Sequence, residues 1–245
     1  MASSPVKVSA PLHRRVVIEL TRRIVQGEIE PGSLVPAEPR LSEEFGVSRI
    51  VIREAAKVLA EKGLVEVRRG RGTSVTPPQR WSPLDPLVLA LRGRDGFYTA
   101  QAELLEARKV FEVEIAGLAA TRISPEALGA ISTHLRGMDG MINDPDAFHK
   151  SDADFHFLLV QAAHNAVLAK LIEPIHDILT SGFRLTARLP GVPKNAQAMH
   201  WAIFRGLEKH DPEETKRAMR AHLEQAEQDL VKIGAWIKDP AEDLL

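Results

Sequence analysis

The stretch that most constrains the fold is residues 46–72, which combine a turn, a short amphipathic segment and a basic, glycine-rich tip. Gly46 is expected to end one helix, because glycine accepts the left-handed backbone there. Ser48 is a favourable N-cap for the next helix, and Gly63 is expected to end it. The apolar residues of this second helix recur at helical spacing and predict one buried face: Ile52, Ala55, Ala56, Leu59 and Ala60.

A short strand and a basic turn follow this helix. Val65 and Val67 alternate with charged residues, which is typical of a half-buried strand. Residues 68–72 then form a tight basic turn, and residues 73–76 return as a second strand. Two helices joined by a turn and followed by such a hairpin predict a winged helix-turn-helix. The simpler alternative is a helix with solvated arginines next to an ordinary hairpin.

Two arginines, Arg49 and Arg53, stand one turn apart at the start of the second helix. A recognition helix needs hydrogen-bond donors at this end, because its first turns enter the major groove and meet the edges of the bases. The combination of these arginines with the basic hairpin tip therefore predicts double-stranded DNA as a partner. Aromatic residues make up only 5% of the chain, which argues against a surface for stacking single-stranded bases.

These residues resemble the N-terminal domain of the GntR family of bacterial repressors. The shared motifs are Pro36-Ala37-Glu38, Leu41 to Arg49, Ile52 to Ala55 and Arg69 to Thr73. The resemblance implies that five residues contact DNA: Ser48, Arg49, Arg53, Arg69 and Gly70. The fatty-acid-responsive member of the family has a DNA-contacting arginine at the position of Pro39, which has no side-chain donor. Arg40, one place later, is therefore a sixth candidate, and we expect the operator sequence to differ accordingly.

Charge is divided unevenly along the 245 residues, although the net charge is only −1. Residues 1–76 carry 13 Lys and Arg against nine Asp and Glu, whereas residues 77–245 carry 19 against 24. A basic head on an acidic body favours one DNA-binding domain and one domain with another role. The lack of cysteine fits a cytoplasmic protein and excludes disulfides and thiolate metal sites. No apolar run approaches the length of a membrane span.

Proline-rich and polar stretches predict five regions along the chain. These are a disordered N-terminus (1–10), the winged helix-turn-helix domain (11–76), a linker (77–97), an all-helical domain (98–238) and a C-terminal tail (239–245). The linker prolines remove donors that a helix needs, but its apolar residues are expected to dock on a domain: Trp81, Leu84, Leu87, Val88 and Leu91. Its Trp81-x-x-Leu84-Asp85-Pro86-x-Val88-Leu89 pattern resembles the linker of regulators of sugar-acid catabolism, such as galactonate-responsive repressors.

Apolar periodicity after Gly96 predicts helices and no strands, and so an all-α bundle of six or seven helices. The first predicted helix of this part ends near Arg122. The other five span residues 125–142, 145–163, 167–189, 197–209 and 212–236. Ser124, Asp144 and Asp211 each precede a proline, the usual order at a helix start. Pro174 is expected to kink its helix.

The spacing of histidines and an aspartate suggests a metal site in this bundle. Asp152 and His156 lie four residues apart, so both side chains project from one face of a helix. His200 and His222 lie on two later helices, and three helices of a bundle can bring such ligands together. By spacing alone, a surface hydrogen bond between Asp152 and His156 is the more common outcome. His149, seven residues before His156, is a rival ligand.

The helical part resembles the effector-binding domain, called FCD, of the FadR-like subgroup of GntR regulators. The shared pattern is Phe148-x-x-x-Asp152-x-x-Phe155-His156, followed by Ala163-His164-Asn165 and Leu168. Many members of the subgroup bind a metal through one aspartate and three histidines. The resemblance implies that Asp152, His156, His200 and His222 bind a divalent metal, with zinc expected ahead of nickel, manganese or iron.

Arg108 has two interpretations. Four residues before Glu112 on a helix, it is expected to form a surface ion pair of a few tenths of a kcal/mol. In the motif Glu106-Ala107-Arg108-x-x-x-Glu112 it matches the arginine that the subgroup directs at the carboxylate of an effector, which suits a guanidinium fork. Arg184 and Arg188 are further candidates for the cavity, with a solvated helix face as the alternative.

The sequence therefore predicts a homodimeric transcriptional regulator, with repression as the expected sign. Its affinity for operator DNA would change when a small organic acid, a sugar acid or hydroxy acid, binds at the metal. Two other functions stay open. In a metal sensor, the metal itself would change DNA affinity. In an enzyme, a metal with open positions would activate water, but no general base can be identified and the basic wing would be unexplained.

Overall fold

The computed structural model describes residues 12–68, 70–182 and 189–234. It divides after Gly93 into two compact units. Within the described ranges the protein is mostly helical, with one two-stranded sheet in the first unit. The predicted fold class is therefore confirmed. No helix in the described ranges is long and apolar enough to cross a membrane.

The first unit is a winged helix-turn-helix. Its elements are α1 (Leu12–Val25), α2 (Glu38–Phe45), α3 (Arg49–Glu61), β1 (Val65–Arg68) and β2 (Gly72–Val75). The two strands pair antiparallel in a register that runs from Val65 opposite Val75 to Arg68 opposite Gly72. Apolar residues from all five elements bury one common core, so the wing and the helices fold as a single body.

The turn between α2 and α3 forms for the predicted local reasons. Gly46 has a φ of 63°, and its N–H donates to the carbonyl oxygen of Glu43. The hydroxyl of Ser48 accepts the N–H of Val51 at the start of α3. Within α3 the buried face is narrower than expected, because Ala60 is exposed.

Gly63 ends α3 and also permits a close approach of the chain. Its φ is 74°. A Cβ atom at this position would lie 2.0 Å from the carbonyl oxygen of Arg80, so any other residue would force the backbone apart. The end of α3 therefore packs directly against the segment that leaves the wing.

The proline-rich segment after the wing docks on the first unit, as predicted. Trp81 and Val88 are buried in its core, and the Trp81 indole N–H donates to the Thr76 carbonyl oxygen at 3.1 Å. The expectation that prolines prevent a helix here is wrong for residues 86–91. Pro86 is the first residue of α4 (Pro86–Leu91), where no N–H donor is required, and the Asp85 carboxylate accepts the N–H of Val88 at 3.0 Å.

The second unit contains six helices in the described ranges, within the predicted six or seven. They are α5 (Gly93–Arg122), α6 (Pro125–Asp139), α7 (Pro145–Ala162), α8 (Ala166–Gly182), α9 (Val192–Glu208) and α10 (Pro212–Gly234). Ser124 and Asp144 cap the N-termini of α6 and α7 as predicted. Helix α6 ends three residues before its expected end, and α9 begins five residues early. Arg184 and Arg188 lie outside the described residues.

Helices α9 and α10 follow each other through a short connection and pack closely. A Cβ atom on Gly206 would lie 2.4 Å from the Thr215 hydroxyl oxygen, so glycine is needed for this approach. Helix α6 packs against both α7 and α9. The buried faces of α7, α9 and α10 meet in the interior of the unit, and each carries at least one histidine: His149 and His156, His200, and His222.

Candidate metal centre and nucleic-acid interface

The exposed face of α3 carries the residues predicted to contact DNA. Ser48, Arg49 and Arg53 are all exposed. The opposite face of the helix is buried by Ile52, Ala55 and Leu59. Because the helix is held to the core by that face, its first two turns are free to meet a partner.

A groove of about 880 Å³ separates α2 and α3 from the wing. Arg40, Arg53 and Gly70 all line it, so Arg40 lies on the same surface as the other candidates. Pro39 is the second residue of α2, where a missing N–H has no effect on the helix. Arg69 lies outside the described residues. Five of the six candidate DNA contacts are therefore described, and all five lie on this face or at its edge.

Glu38 orients Arg53 on this surface. The Arg53 Nε donates to a Glu38 carboxylate oxygen at 2.9 Å, with both side chains largely exposed. An exposed ion pair of this kind contributes little to stability. Its effect is to hold one candidate DNA contact in a fixed direction.

Four side chains converge inside the second unit. Asp152 and His156 come from α7, His200 from α9 and His222 from α10. One ligand atom from each lies within 4.8 Å of all the others, a cluster able to hold a metal ion. The three histidines are buried, whereas the Asp152 side chain keeps 26% of its exposure. His149, the rival candidate, is buried on the same helix but is not a member of this cluster.

Hydrogen bonds around His200 leave its Nε2 atom as an acceptor. The Gln197 amide donates to the Leu135 carbonyl oxygen and to Asp139, at 2.8 and 2.7 Å, which turns its own oxygen towards His200 Nδ1 at 3.3 Å. The proton of His200 therefore belongs on Nδ1. Its Nε2 atom then faces Asp152 Oδ1 at 3.1 Å as a second acceptor, and it has no hydrogen-bond partner. Two acceptors at this separation, one of them fully buried, fit a cation between them.

His156 also has a polar side chain next to the nitrogen that points away from the cluster. Its Nδ1 lies 2.7 Å from a carboxylate oxygen of the buried Glu112, which favours the proton on that nitrogen. Its Nε2 then faces His222 Nε2 at 3.1 Å. The carboxylate thus fixes the orientation of an imidazole whose other nitrogen points into the cluster, the usual support of a metal-binding histidine.

The charge states of Asp152, His200 and His222 match those of metal ligands. Burial lowers the pKa of His200, and it lowers the pKa of His222 well below the ordinary value, with the neighbouring histidines adding to the effect. Burial acts to raise the pKa of Asp152, but the adjacent imidazoles, His200 first and then His156 and His222, outweigh it and hold that pKa well below its usual range. Neutral imidazoles and an ionised carboxylate are the forms that bind metal.

Arg108 is buried next to this cluster, so its interpretation as a surface residue is wrong. Only 4% of it is exposed. The predicted pair with Glu112 does form, with Nε donating to a carboxylate oxygen at 2.6 Å. Its Nη2 lies 3.4 Å from His156 Nε2. The structure therefore brings the candidate effector residue and the candidate metal ligands together.

Two supporting residues were missed by the sequence analysis. Glu112 was considered only as an ion-pair partner, yet it touches both Arg108 and His156. Gln197 was not singled out, although it lies three residues before His200 and so on the same side of α9. A search for buried polar residues one turn from each proposed ligand would have found Gln197. Glu112 could be found only through the pairing of α5 with α7.

Together, the fold and these two sites define a DNA-binding transcriptional regulator. A winged helix-turn-helix presents a basic recognition face, and a separate helical unit holds a buried, charged cluster that can bind a metal. Comparison with known protein families finds one match for each of these two parts of the chain. The model of bacterial regulatory proteins of the gntR family matches residues 12–75, and the FCD domain model matches residues 103–225.

Several named regulators are similar to this chain over most of its length, which includes the DNA-binding domain and the FCD domain. The galactonate operon transcriptional repressor of Escherichia coli is 34% identical over 83% of this chain and 90% of its own length. The regulator LutR of Bacillus subtilis is 30% identical over 83% of this chain and 94% of its own length. The chain therefore belongs to the GntR family, in the FadR-like subgroup with an FCD domain, and it is a transcriptional regulator rather than an enzyme.

Solved structures agree in fold. The structure of Lar, which controls expression of the Listeria monocytogenes agr system, has a TM-score of 0.66 at 18% identity. It covers 92% of this chain and 99% of that one. At this level of identity the likeness extends to the arrangement of the helices and the wing only.

Proposed function

We propose that this protein is a repressor whose affinity for operator DNA is changed by a small organic acid bound at a metal in the FCD domain. The observation that carries the proposal is the position of Arg108, buried within 3.4 Å of the ligand nitrogen of His156. A guanidinium beside a metal-binding cluster would provide two positive centres in one buried site. An anion with several oxygen atoms matches that arrangement best.

Asp152, His156, His200 and His222 would hold the metal, most simply zinc, with nickel, manganese or iron as alternatives. When bound, the metal supplies a Lewis-acidic positive charge that attracts carboxylate and hydroxyl oxygens. Glu112 and Gln197 keep two of the imidazoles in the tautomer that ligation needs. Arg108 would anchor the carboxylate of the effector, which must compete with Glu112 for the guanidinium.

A sugar acid or a short hydroxy acid is the effector class that suits these groups. Such a molecule carries one carboxylate for Arg108 and an adjacent hydroxyl for the metal. The names of two relatives agree in class, a galactonate operon repressor and a putative L-lactate dehydrogenase operon regulatory protein of Escherichia coli. The choice between these acids would depend on the side chains that surround the bound molecule beyond Arg108.

On DNA we infer a homodimer, because two recognition helices related by two-fold symmetry match the two half-sites of an operator. The DNA contacts would come from Ser48, Arg49, Arg53, Arg69 and Gly70, with Arg40 in place of the family's arginine at the Pro39 position. A regulator of chromosomal operators acts in the cytoplasm. The effector changes DNA affinity only as far as it binds the two states of the protein with different affinity.

A thermal-shift screen tests the effector half of the proposal. The purified protein is mixed with a set of sugar acids and hydroxy acids, before and after removal of metal by a chelator. A ligand that binds only the native state raises the unfolding midpoint by mass action. We expect a stabilising acid whose effect disappears after chelation and whose addition weakens binding to operator DNA. A hit that persists unchanged after chelation would refute binding at the metal.

A metal sensor is the second candidate, and the complete set of four ligands favours it. In that case the metal alone would change DNA affinity, and no acid would add to the effect. The same operator-binding assay, run with metal-loaded and chelated protein in the absence of acids, separates the two functions.

A further inference from the structure

Ile50 is an exposed apolar side chain at the start of the recognition helix. It is the second residue of α3, and 70% of it is exposed. Among the large apolar residues of the described DNA-binding domain, none is more exposed. The side chain contributes nothing to the core, which the same helix reaches through Ile52, Ala55 and Leu59.

The position of Ile50 distinguishes it from an incidental surface residue. Single apolar residues on a surface are common and usually have no role. Ile50, however, lies on the same exposed face as Arg49 and Arg53, between the two arginines along the helix. Isoleucine also has one strongly preferred χ1 rotamer in a helix, so its methyl groups are presented in a fixed direction.

The surroundings specify the partner of this side chain. Arg40, Lys57 and Arg68 line the groove beside α3, so the face as a whole attracts a polyanion. An apolar group on such a face is matched only by an apolar group on that polyanion. In the major groove of DNA only the 5-methyl group of thymine provides one, and apolar side chains read it by contact.

We propose that Ile50 contacts the methyl group of a thymine in each operator half-site and so specifies an A·T pair there. The inference rests on the proposed binding of α3 in the major groove. It adds an apolar element of sequence readout to the polar contacts expected from Ser48, Arg49 and Arg53. The arginines provide donors for acceptors on base edges, whereas Ile50 distinguishes thymine from cytosine, which has no methyl group at this position.

The test begins with selection of operator sequences from random duplex DNA by the purified wild-type protein. Each thymine of the selected site is then replaced, one at a time, by deoxyuridine, which pairs identically but lacks the methyl group. We expect one thymine per half-site at which this change weakens binding about fourfold, the factor that corresponds to one methyl-sized apolar group. Both half-sites together would lose about 15-fold.

Variants at position 50 show whether the sensitivity to the thymine methyl group comes from Ile50. Ile50→Ala should bind the thymine site with a similar loss and show no further loss with deoxyuridine. Ile50→Val, which keeps a branched apolar end, should remain sensitive to the methyl group. Leu12→Ala removes another exposed apolar side chain, 53% exposed at the start of α1, and should behave as the wild type. Circular dichroism should be unchanged in all three variants, because neither position contributes to the core.

Three results would contradict either the proposed operator binding or the role of Ile50. No enriched sequence for the wild-type protein would contradict the proposed operator binding itself. An enriched sequence that is insensitive to every deoxyuridine substitution would overturn the role of Ile50. Sensitivity that persists in Ile50→Ala would also overturn it, since another residue would then be the methyl reader.

Discussion

Glu112 connects the candidate effector residue to a candidate metal ligand, and the change Glu112→Gln tests that connection. One carboxylate oxygen accepts the Arg108 Nε–H at 2.6 Å, and the other lies 2.7 Å from His156 Nδ1. All three side chains are about 95% buried. Glutamine has the same shape but replaces one of the two acceptors by an NH₂ donor. It can therefore satisfy only one of the two neighbours.

Each orientation of the new amide has a defined cost. If the NH₂ group faces His156, the Nδ1 atom must accept, the proton moves to Nε2 and the ligand nitrogen is blocked. Loss of such a supporting carboxylate typically lowers metal affinity about 10- to 100-fold. In either orientation the Arg108 guanidinium stays buried without the counter-charge of Glu112, which costs about 3–5 kcal/mol of folding stability. If the NH₂ group faces Arg108, the Nε–H also loses its acceptor.

The assay measures both quantities on the same protein. Metal affinity comes from competition with a chromophoric chelator, and the visible spectrum of the cobalt-loaded protein reports the ligand field. Folding stability comes from urea unfolding of the chelated protein. Glu103→Gln, an exposed position on the same helix, is the matched control and should change neither. If Glu112→Gln has the metal affinity and the stability of the wild type, the proposed connection is refuted.

Four further variants test other parts of the protein. Arg49→Ala should abolish specific operator binding with helical content unchanged; specific binding that survives would remove α3 from base recognition. His200→Ala should lower metal content in elemental analysis, and full stoichiometric metal would exclude it as a ligand. Arg108→Ala should weaken the response to the effector in an operator-binding assay, and an unaltered response would exclude it as the anchor. Hydrogen bonding to Arg22 lowers the pKa of Glu19 to about 2, so the stability this residue contributes is present above its ordinary pKa and is lost as pH falls towards 2. Glu19→Gln should therefore flatten the dependence of urea unfolding on pH in that window, and an equally steep profile would contradict the pair.

The winged helix-turn-helix was predictable because its determinants are local. Gly46, Ser48 and Gly63 specify where helices end and begin from their own backbone preferences, and the alternation in β1 needs no distant partner. The short helix after the wing was missed for a related reason. Proline disrupts the interior of a helix, but Pro86 lies at the first position of α4, where proline suits a helix.

Burial in the second unit was less predictable, because it depends on how helices pair. An arginine and a glutamate four residues apart look alike on a surface and in a core, so the interior position of Arg108 was not evident from spacing. The metal candidates came from a resemblance to a family, since the spacing of Asp152 and His156 alone favoured a surface hydrogen bond. The contact of Glu112 with His156 depends on how α5 meets α7, which the sequence pattern of neither helix encodes.

The distribution of the four candidate ligands has a consequence for how the protein matures. They are divided among α7, α9 and α10, and α10 leaves the ribosome after the other two. A metal ion cannot meet its full set of ligands until this last helix has docked. Capture of an ion by this cluster would therefore be a late event in biogenesis. The metal available at that moment, rather than during synthesis of the earlier helices, would decide which ion the protein acquires.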